Sequence, residues 1–299
     1  MKEMLKGSPA RVLKDGLKNG LKNTFFDLLM PMIPKNELSH WVGRAVHRPL
    51  PEPLGQKSVE LFAKYFSINM NEAEFPIDHY RTIGELFTRK LKAGARPLGA
   101  GPVLHPADSQ ITESGFITEQ TLIQAKGKNY NVAELLRSQH FSAVFEGGSF
   151  FTYYLCPTDY HRVHAPVDGR IVWGCHVPGE LWPVNSWSVN SVPNLFSRNE
   201  RVVAMIETPR GLAALVMVAA TNVGNITMSF DSQINTKVRA GERHVRELVY
   251  EPGIEIKKGD ELGIFHMGST VVMLYQKGMV ECDLESYRSR HVKMGQELV

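Results

Sequence analysis

The chain has 299 residues, 43% of them hydrophobic and 22% charged, with 34 Lys and Arg against 31 Asp and Glu and a formal net charge of +3. That composition carries enough apolar material for one large core or two small ones, and it excludes collagen-like, low-complexity and wholly disordered chains. So mild a charge gives none of the concentrated basic field of a nucleic-acid binder, and no nucleic-acid partner is expected.

The first element is helical. Leu13, Leu17, Leu21 and Phe25 recur every four residues beside Lys14, Lys18 and Lys22, an amphipathic pattern. Residues 1–23 hold six basic residues against Glu3 and Asp15, so this helix suits either an anionic membrane interface or packing on the protein's own core. The most apolar stretch, Thr24 to Ile33, is broken by Asp27 and Pro31 and falls short of the roughly 20 apolar residues of a spanning helix. The N-terminus also lacks the apolar stretch and small-residue cleavage site of a secretory signal. Two further helices are predicted, Lys57 to Tyr65 and Thr82 to Leu91.

From Val103 onward, short β-rich runs separated by Gly, Pro, Asn and Asp replace the helical texture. They are Phe150–Leu155, Arg170–Trp173, Val202–Ile206, Ala213–Val218, Ile226–Phe230 and Thr270–Leu274, with one helical insertion at Val132–Arg137. The predicted class is α+β, with a helical region over residues 1–97 and an antiparallel or barrel-like β domain over residues 98–299. Ala165–Val172 and Ile256–Phe265 are similar to the two halves of biotinyl/lipoyl-type barrel-sandwich folds, which bears on fold alone.

Three places in the β-rich half could carry chemistry. His161 and His164 lie between Pro157 and Pro166; a turn there would let them converge, whereas a strand would send them to opposite faces. The pair suits a structural role, metal ligation, or a general base with a second proton-transfer group, although no third Cys or His stands nearby beyond Cys156. Asp108, after Pro106-Ala107, is either a turn-maker or the carboxylate that orients an imidazole. Ser269 follows Gly268 between Gly263-Ile-Phe and Val271-Val-Met-Leu. There a glycine relieves crowding, so the adjacent hydroxyl could approach the preceding carbonyl carbon. The flanking Met267 and Val271 exclude a Gly-x-Ser-x-Gly nucleophile elbow. Cys156, Cys175 and Cys282 form no close pair, so neither a disulfide framework nor a CxxC site is expected, and a reducing compartment is the default.

Taken in order, Pro106-Ala-Asp108, Tyr160-His-Arg-Val-His164, Val192-Pro-Asn-Leu-Phe-Ser-Arg-Asn-Glu-Arg-Val202 and Met267-Gly-Ser-Thr270 resemble the phosphatidylserine decarboxylase family in its bacterial, membrane-associated form. The likeness runs from about residue 25 to about residue 290, with Met267 where the family usually has Leu. The resemblance implies self-cleavage between Gly268 and Ser269 into a β chain (1–268) and an α chain (269–299), with Ser269 becoming a pyruvoyl cofactor. It also implies that His164 removes the Ser269 proton, that Asp108 orients and charge-stabilises His164, and that no metal takes part. The ketone would then form a Schiff base with the amine of phosphatidylserine and serve as the electron sink for decarboxylation to phosphatidylethanolamine, with His161 protonating carbon or holding substrate.

A two-chain lipid is costly to extract from a bilayer, at about 0.8 kcal/mol per CH₂. This favours the membrane reading of the N-terminal helix and a peripheral position on the cytoplasmic face of the cell membrane, against an anionic lipid surface; a homo-oligomer is also expected. Two other readings of the same residues make different predictions. A non-catalytic barrel-sandwich lipid-surface module would leave Ser269 an ordinary turn residue in an intact chain. A metal-dependent hydrolase using His161, His164 and an acid such as Asp108 would bind metal tightly.

Overall fold

The computed structural model describes residues 46–125, 128–221, 225–236 and 244–299. The amphipathic helix predicted around Leu13 to Phe25 lies outside them. The first described helices are α1 (Leu54–Tyr65) and α2 (Ile83–Phe87). Val59 and Ala63 of α1 pack with Ile68, Tyr80 and Leu86 in a small apolar cluster. Thr82 caps α2 by accepting a hydrogen bond from the Glu85 amide at 3.1 Å, which fixes where it starts.

The α2 helix stops earlier than its periodicity predicts, because tertiary partners compete for the chain after Phe87. Glu74 donates its amide to the Lys90 carbonyl, Ala73 and Leu91 form an antiparallel bridge, and the Arg89 guanidinium turns inward onto the carbonyls of Thr158 and Asp159.

The β-rich half begins with β1 (Ser109–Phe116), β2 (Thr121–Ala125) and β3 (Lys128–Asn131), followed by α3 (Val132–Leu136) and α4 (Gln139–Val144). Next come β4 (Ser149–Leu155), β5 (Arg162–His164), β6 (Gly169–Val177), α5 (Ser186–Ser191) and α6 (Leu195–Arg198). The remaining strands are β7 (Arg201–Thr208), β8 (Gly211–Ala219), β9 (Ile226–Met228), β10 (Arg246–Ile256), β11 (Glu261–Phe265), β12 (Ser269–Tyr275) and β13 (His291–Val292). The six predicted runs correspond to β4, β6, β7, β8, β9 and β12, and the predicted helical insertion is α3, capped by the Asn131 side chain on the amides of Ala133 and Glu134.

Eight of these strands form one antiparallel sheet in the order β10-β6-β7-β8-β12-β4-β1-β13, and β5-β11-β9 form a second, smaller one. Among the described residues the large sheet ends at β10 on one side and β13 on the other and does not close, so the barrel-like expectation is met only as an antiparallel, sheet-dominated domain with few helices. The two segments resembling barrel-sandwich halves do meet. Gly169 pairs with Ile256, the Ala165 amide donates to the Asp260 carbonyl at 2.7 Å, and the Gly259 amide donates to the Ala165 carbonyl at 2.9 Å.

Burial explains which strands the sequence revealed. Val202 to Ile206, Ala213 to Ala219 and Val271 to Tyr275 are covered on both faces, and a strand buried on both sides reads as a continuous apolar run. By contrast β1 is rich in Ser, Glu, Thr and Gly, and β10, interrupted by Pro252 and Gly253, is an edge strand with Glu247, Val249 and Glu251 exposed. Nothing local marks such strands; their partners do. Because β12 lies between β8 and β4, its side chains anchor the whole sheet. Leu274→Ala is expected to cost about 2–5 kcal/mol of unfolding free energy by chemical denaturation, since Leu274 is fully buried on a strand paired on both sides.

Candidate active site

Ser269 is the first residue of β12, in register with Leu155 of β4 on one side and Ala219 of β8 on the other. The strand before it, β11, belongs to the smaller sheet, so residues 266–268 carry the chain from one sheet to the other. Gly268 makes that corner at φ +28°, a backbone conformation that L side chains rarely adopt. A glycine is therefore needed one residue before a strand start that is held on both flanks. The residues beside the corner are also tied down: the Phe265 amide donates to the His161 carbonyl at 3.0 Å, and the His266 amide donates to the Asn225 carbonyl at 3.1 Å.

The Tyr160-His-Arg-Val-His164 segment is not the converging turn that its prolines suggested. Arg162–His164 is a strand, pairing Arg162 with Ile264, Val163 with Gly263 and His164 with Glu261. Pairing with β11 imposes extended backbone, and the two imidazoles consequently enter different surroundings. His161 is fully buried, with its ring centroid 3.8 Å from that of Phe87. Its Nδ1 donates to the Asp159 carbonyl at 2.9 Å, which leaves the lone pair on Nε2, and Nε2 is buried without a hydrogen-bond partner. Burial lowers the pKa of His161 to about 3, so the ring is neutral.

His164 has both nitrogens engaged. Nδ1 lies 2.7 Å from the Gly259 carbonyl and donates to it, so Nε2 accepts from the Tyr160 hydroxyl at 3.1 Å. Burial lowers its pKa, against smaller raising effects from the Gly259 hydrogen bond and the charges of Glu261 and Asp108.

Asp108 is brought to His164 through the main chain, since the His164 amide donates to the Pro106 carbonyl at 2.8 Å. Its carboxylate, however, does not bond the imidazole as expected. It accepts from Arg96 Nε at 2.9 and 3.1 Å, Arg96 Nη2 at 2.5 Å, Lys293 Nζ at 3.1 Å and the Met294 amide at 2.9 Å. Opposing its own burial, these donors hold Asp108 below the usual carboxylate range, and its charge is one of the smaller effects that raise the pKa of His164. Arg96 also pairs with Glu72 at 2.7 Å, so one buried carboxylate ties the segment before β1 to the chain's C-terminal end.

Sequence reading missed Arg96, Lys293 and Tyr160 as partners. Lys293 stands 185 residues from Asp108 and carries no local signal, whereas Tyr160 was visible inside the His161–His164 motif. Among the described residues no three His, Cys, Asp or Glu side chains are grouped as a metal site.

Comparison with known proteins bears on what this arrangement serves. Residues 83–299 match the family model described as phosphatidylserine decarboxylase. The chain belongs to the phosphatidylserine decarboxylase family. It is 39% identical over 275 residues to the phosphatidylserine decarboxylase proenzyme of Myxococcus xanthus, covering 91% of this chain and 97% of that relative. It is also 39% identical over 283 residues to the one from Anaeromyxobacter sp., covering 93% and 99%. With the proenzyme of Coxiella burnetii the identity is 40% over 253 residues, covering 83% and 88%.

The neutral, buried state of His161 has a consequence for stability against pH. An unfolded imidazole takes up a proton near pH 6.5, whereas the folded one resists until about pH 3. In that window the unfolded state binds more protons, so stability falls with acidification. His105, lowered to about 4 by burial, adds to the same trend. Urea unfolding is expected to show about 2 kcal/mol lost between pH 7 and pH 5 on account of His161, and His161→Gln is expected to flatten that slope.

Proposed function

We propose that this chain is a proenzyme that cleaves itself between Gly268 and Ser269 and then decarboxylates phosphatidylserine to phosphatidylethanolamine through a pyruvoyl group made from Ser269. The observation that carries this reading is the corner itself: a glycine at positive φ, followed by a serine whose strand is paired on both sides, in a chain of this family. The Ser269 hydroxyl adds to the Gly268 carbonyl carbon, and the peptide C–N bond breaks as an ester forms. Elimination releases the Gly268 carboxylate and leaves dehydroalanine at 269. Its imine form takes up water and loses ammonia, so the net change is one water consumed and one ammonia released.

His164 is the group we assign to the Ser269 proton. With Nδ1–H committed to Gly259, the basic nitrogen is Nε2, and abstraction means exchanging the Tyr160 hydroxyl for that of serine. The charge of Asp108 favours the imidazolium that results, without a direct hydrogen bond.

When formed, the pyruvoyl ketone supplies an electron sink for the bond that releases carbon dioxide. Two buried groups on the chain around the corner are free to receive such a group. His161 Nε2 is a buried, unpartnered acceptor whose backbone bonds to Phe265, and the Thr270 hydroxyl, one residue past Ser269, is also buried without a partner. His161 Nε2 is the atom we assign to delivering a proton to the substrate carbon that has lost carbon dioxide, or to holding the substrate there. Its low pKa keeps the ring neutral at rest, and an incoming carboxylate would raise that pKa toward an acid's range. The substrate's two acyl chains favour attachment to the cytoplasmic face of the cell membrane, with the basic residues of 1–23 toward anionic headgroups.

The decisive measurement is the intact mass of purified, denatured protein. A fragment 269–299 lighter than its serine form by the mass of one ammonia is expected, alongside fragment 1–268; a single full-length mass that persists on incubation with detergent-dispersed phosphatidylserine would sink the proposal. Ser269→Ala and His164→Ala are expected to stay whole. His161→Ala is expected to cleave yet lose decarboxylation, and an uncleaved His161→Ala protein would reverse the two assignments. Removing residues 1–23 is expected to reduce co-sedimentation with anionic vesicles, and unchanged sedimentation would return that segment to a core-packing role.

A further inference from the structure

Asn199 lies in the turn between α6 and β7, and its side chain is fully buried. Its Nδ2 donates to the carbonyls of Ala219 at 2.8 Å and Trp182 at 2.9 Å, and its Oδ1 accepts from the Trp182 amide at 3.0 Å. Ala219 is the β8 residue in register with Ser269. Its amide donates to the Glu200 carbonyl at 2.8 Å, so both main-chain groups of Ala219 are spent on the side away from β12. Ala219 and Ser269 therefore face each other as a pair without mutual hydrogen bonds, the kind that brings Cα atoms to about 4.5 Å. The last strand rung between β7 and β8 is Arg201 with Val218. One residue beyond it, the Asn199 amide takes the place of a strand in holding the end of β8.

The same amide ties in the segment before α5. Glu180 bridges Asn199 in parallel, the Glu200 amide donates to the Glu180 carbonyl at 2.9 Å, and Thr221 Oγ1 donates to the Leu181 carbonyl at 2.5 Å. One buried side chain thus fixes both the Leu181–Trp182 segment and the main chain that lies against Ser269.

We propose that Asn199 is a positioning residue for self-cleavage, setting through Ala219 the backbone placement of Ser269 relative to the Gly268 carbonyl. The inference rests on the self-cleavage reading above. A serine hydroxyl that adds to the preceding carbonyl closes a five-membered ring, and its rate depends on sub-ångström placement of the serine backbone. Asn199→Ala leaves the Ala219 carbonyl buried without its donor, and Asn199→Asp turns a carboxylate oxygen onto two carbonyl oxygens.

The experiment follows the appearance of fragment 269–299 from freshly purified full-length chain. Hydroxylamine is added to parallel samples to release any ester already formed, which reports the acyl shift directly. Gln124→Ala serves as the comparison. It too removes a buried amide that bonds main chain, at Val189, Val192 and Leu195, none of them paired with Ser269. Among proteins that elute as folded, Asn199→Ala and Asn199→Asp are expected to cleave about 10- to 100-fold more slowly and to yield less hydroxylamine-released fragment. Gln124→Ala, with a comparable loss in Tm, is expected to cleave at close to the rate of the unmodified chain.

Cleavage of the Asn199 variants at the unmodified rate, or equal slowing by Gln124→Ala, overturns the proposal. If neither Asn199 variant folds, Thr221→Val removes the second tether of the same segment. It is expected to slow cleavage, and an unchanged rate there also overturns the proposal. An unmodified chain that never cleaves fails the earlier proposal instead, before any variant is compared.

Discussion

The passage of the chain between two sheets at Gly268 is the constraint on which the rest of the molecule turns. β12 is hydrogen-bonded along its whole length to β4 and β8, and β11 is held by β5 and β9, which leaves residues 266–268 to make the connection. The left-handed backbone of Gly268 lets them do so in three residues. A scissile bond placed there is flanked by structure that does not yield. After cleavage, the fragment from Ser269 onward would still supply a central strand and, through β13, an edge strand.

Around that corner the polar groups are divided by what they bond. Asp108 is occupied by Arg96, Lys293 and the Met294 amide, a buried ion pair of the kind whose disruption leaves an uncompensated charge. It reaches across the chain from the segment before β1 to the C-terminal end, and it affects His164 electrostatically from a fixed position. His164 has both nitrogens partnered, while His161 keeps a buried lone pair. Two imidazoles three residues apart thereby acquire different surroundings, one bonded at both nitrogens and one left with an unpartnered buried acceptor.

The histidine motif shows how far local sequence reaches. Its residues could be recognised as a proton-transfer set, but whether the rings converge depends on whether the segment is a turn or a strand. That was decided by β11, a partner 97 to 102 residues away by register. The α2 helix shows the same competition, its periodicity overridden after Phe87 by pairing with Ala73 and Glu74. The partners of Asp108 were illegible for a related reason, since Arg96 and Lys293 are ordinary surface-type residues until the fold brings them to a buried carboxylate.

Composition and short motifs encode part of this architecture directly. The strands of the sheet centre were visible because burial on both faces demands unbroken apolar runs, and the Gly-Ser pair was marked by its place between two such runs. The family likeness was legible because four motifs stand in order along the chain. It took long-range contacts to leave the large sheet open among the described residues, to make a strand of the polar segment β1, and to bond Asp108 to Arg96 rather than His164. Those outcomes depend on strand pairing and charge desolvation between residues distant in sequence, and no local pattern records them.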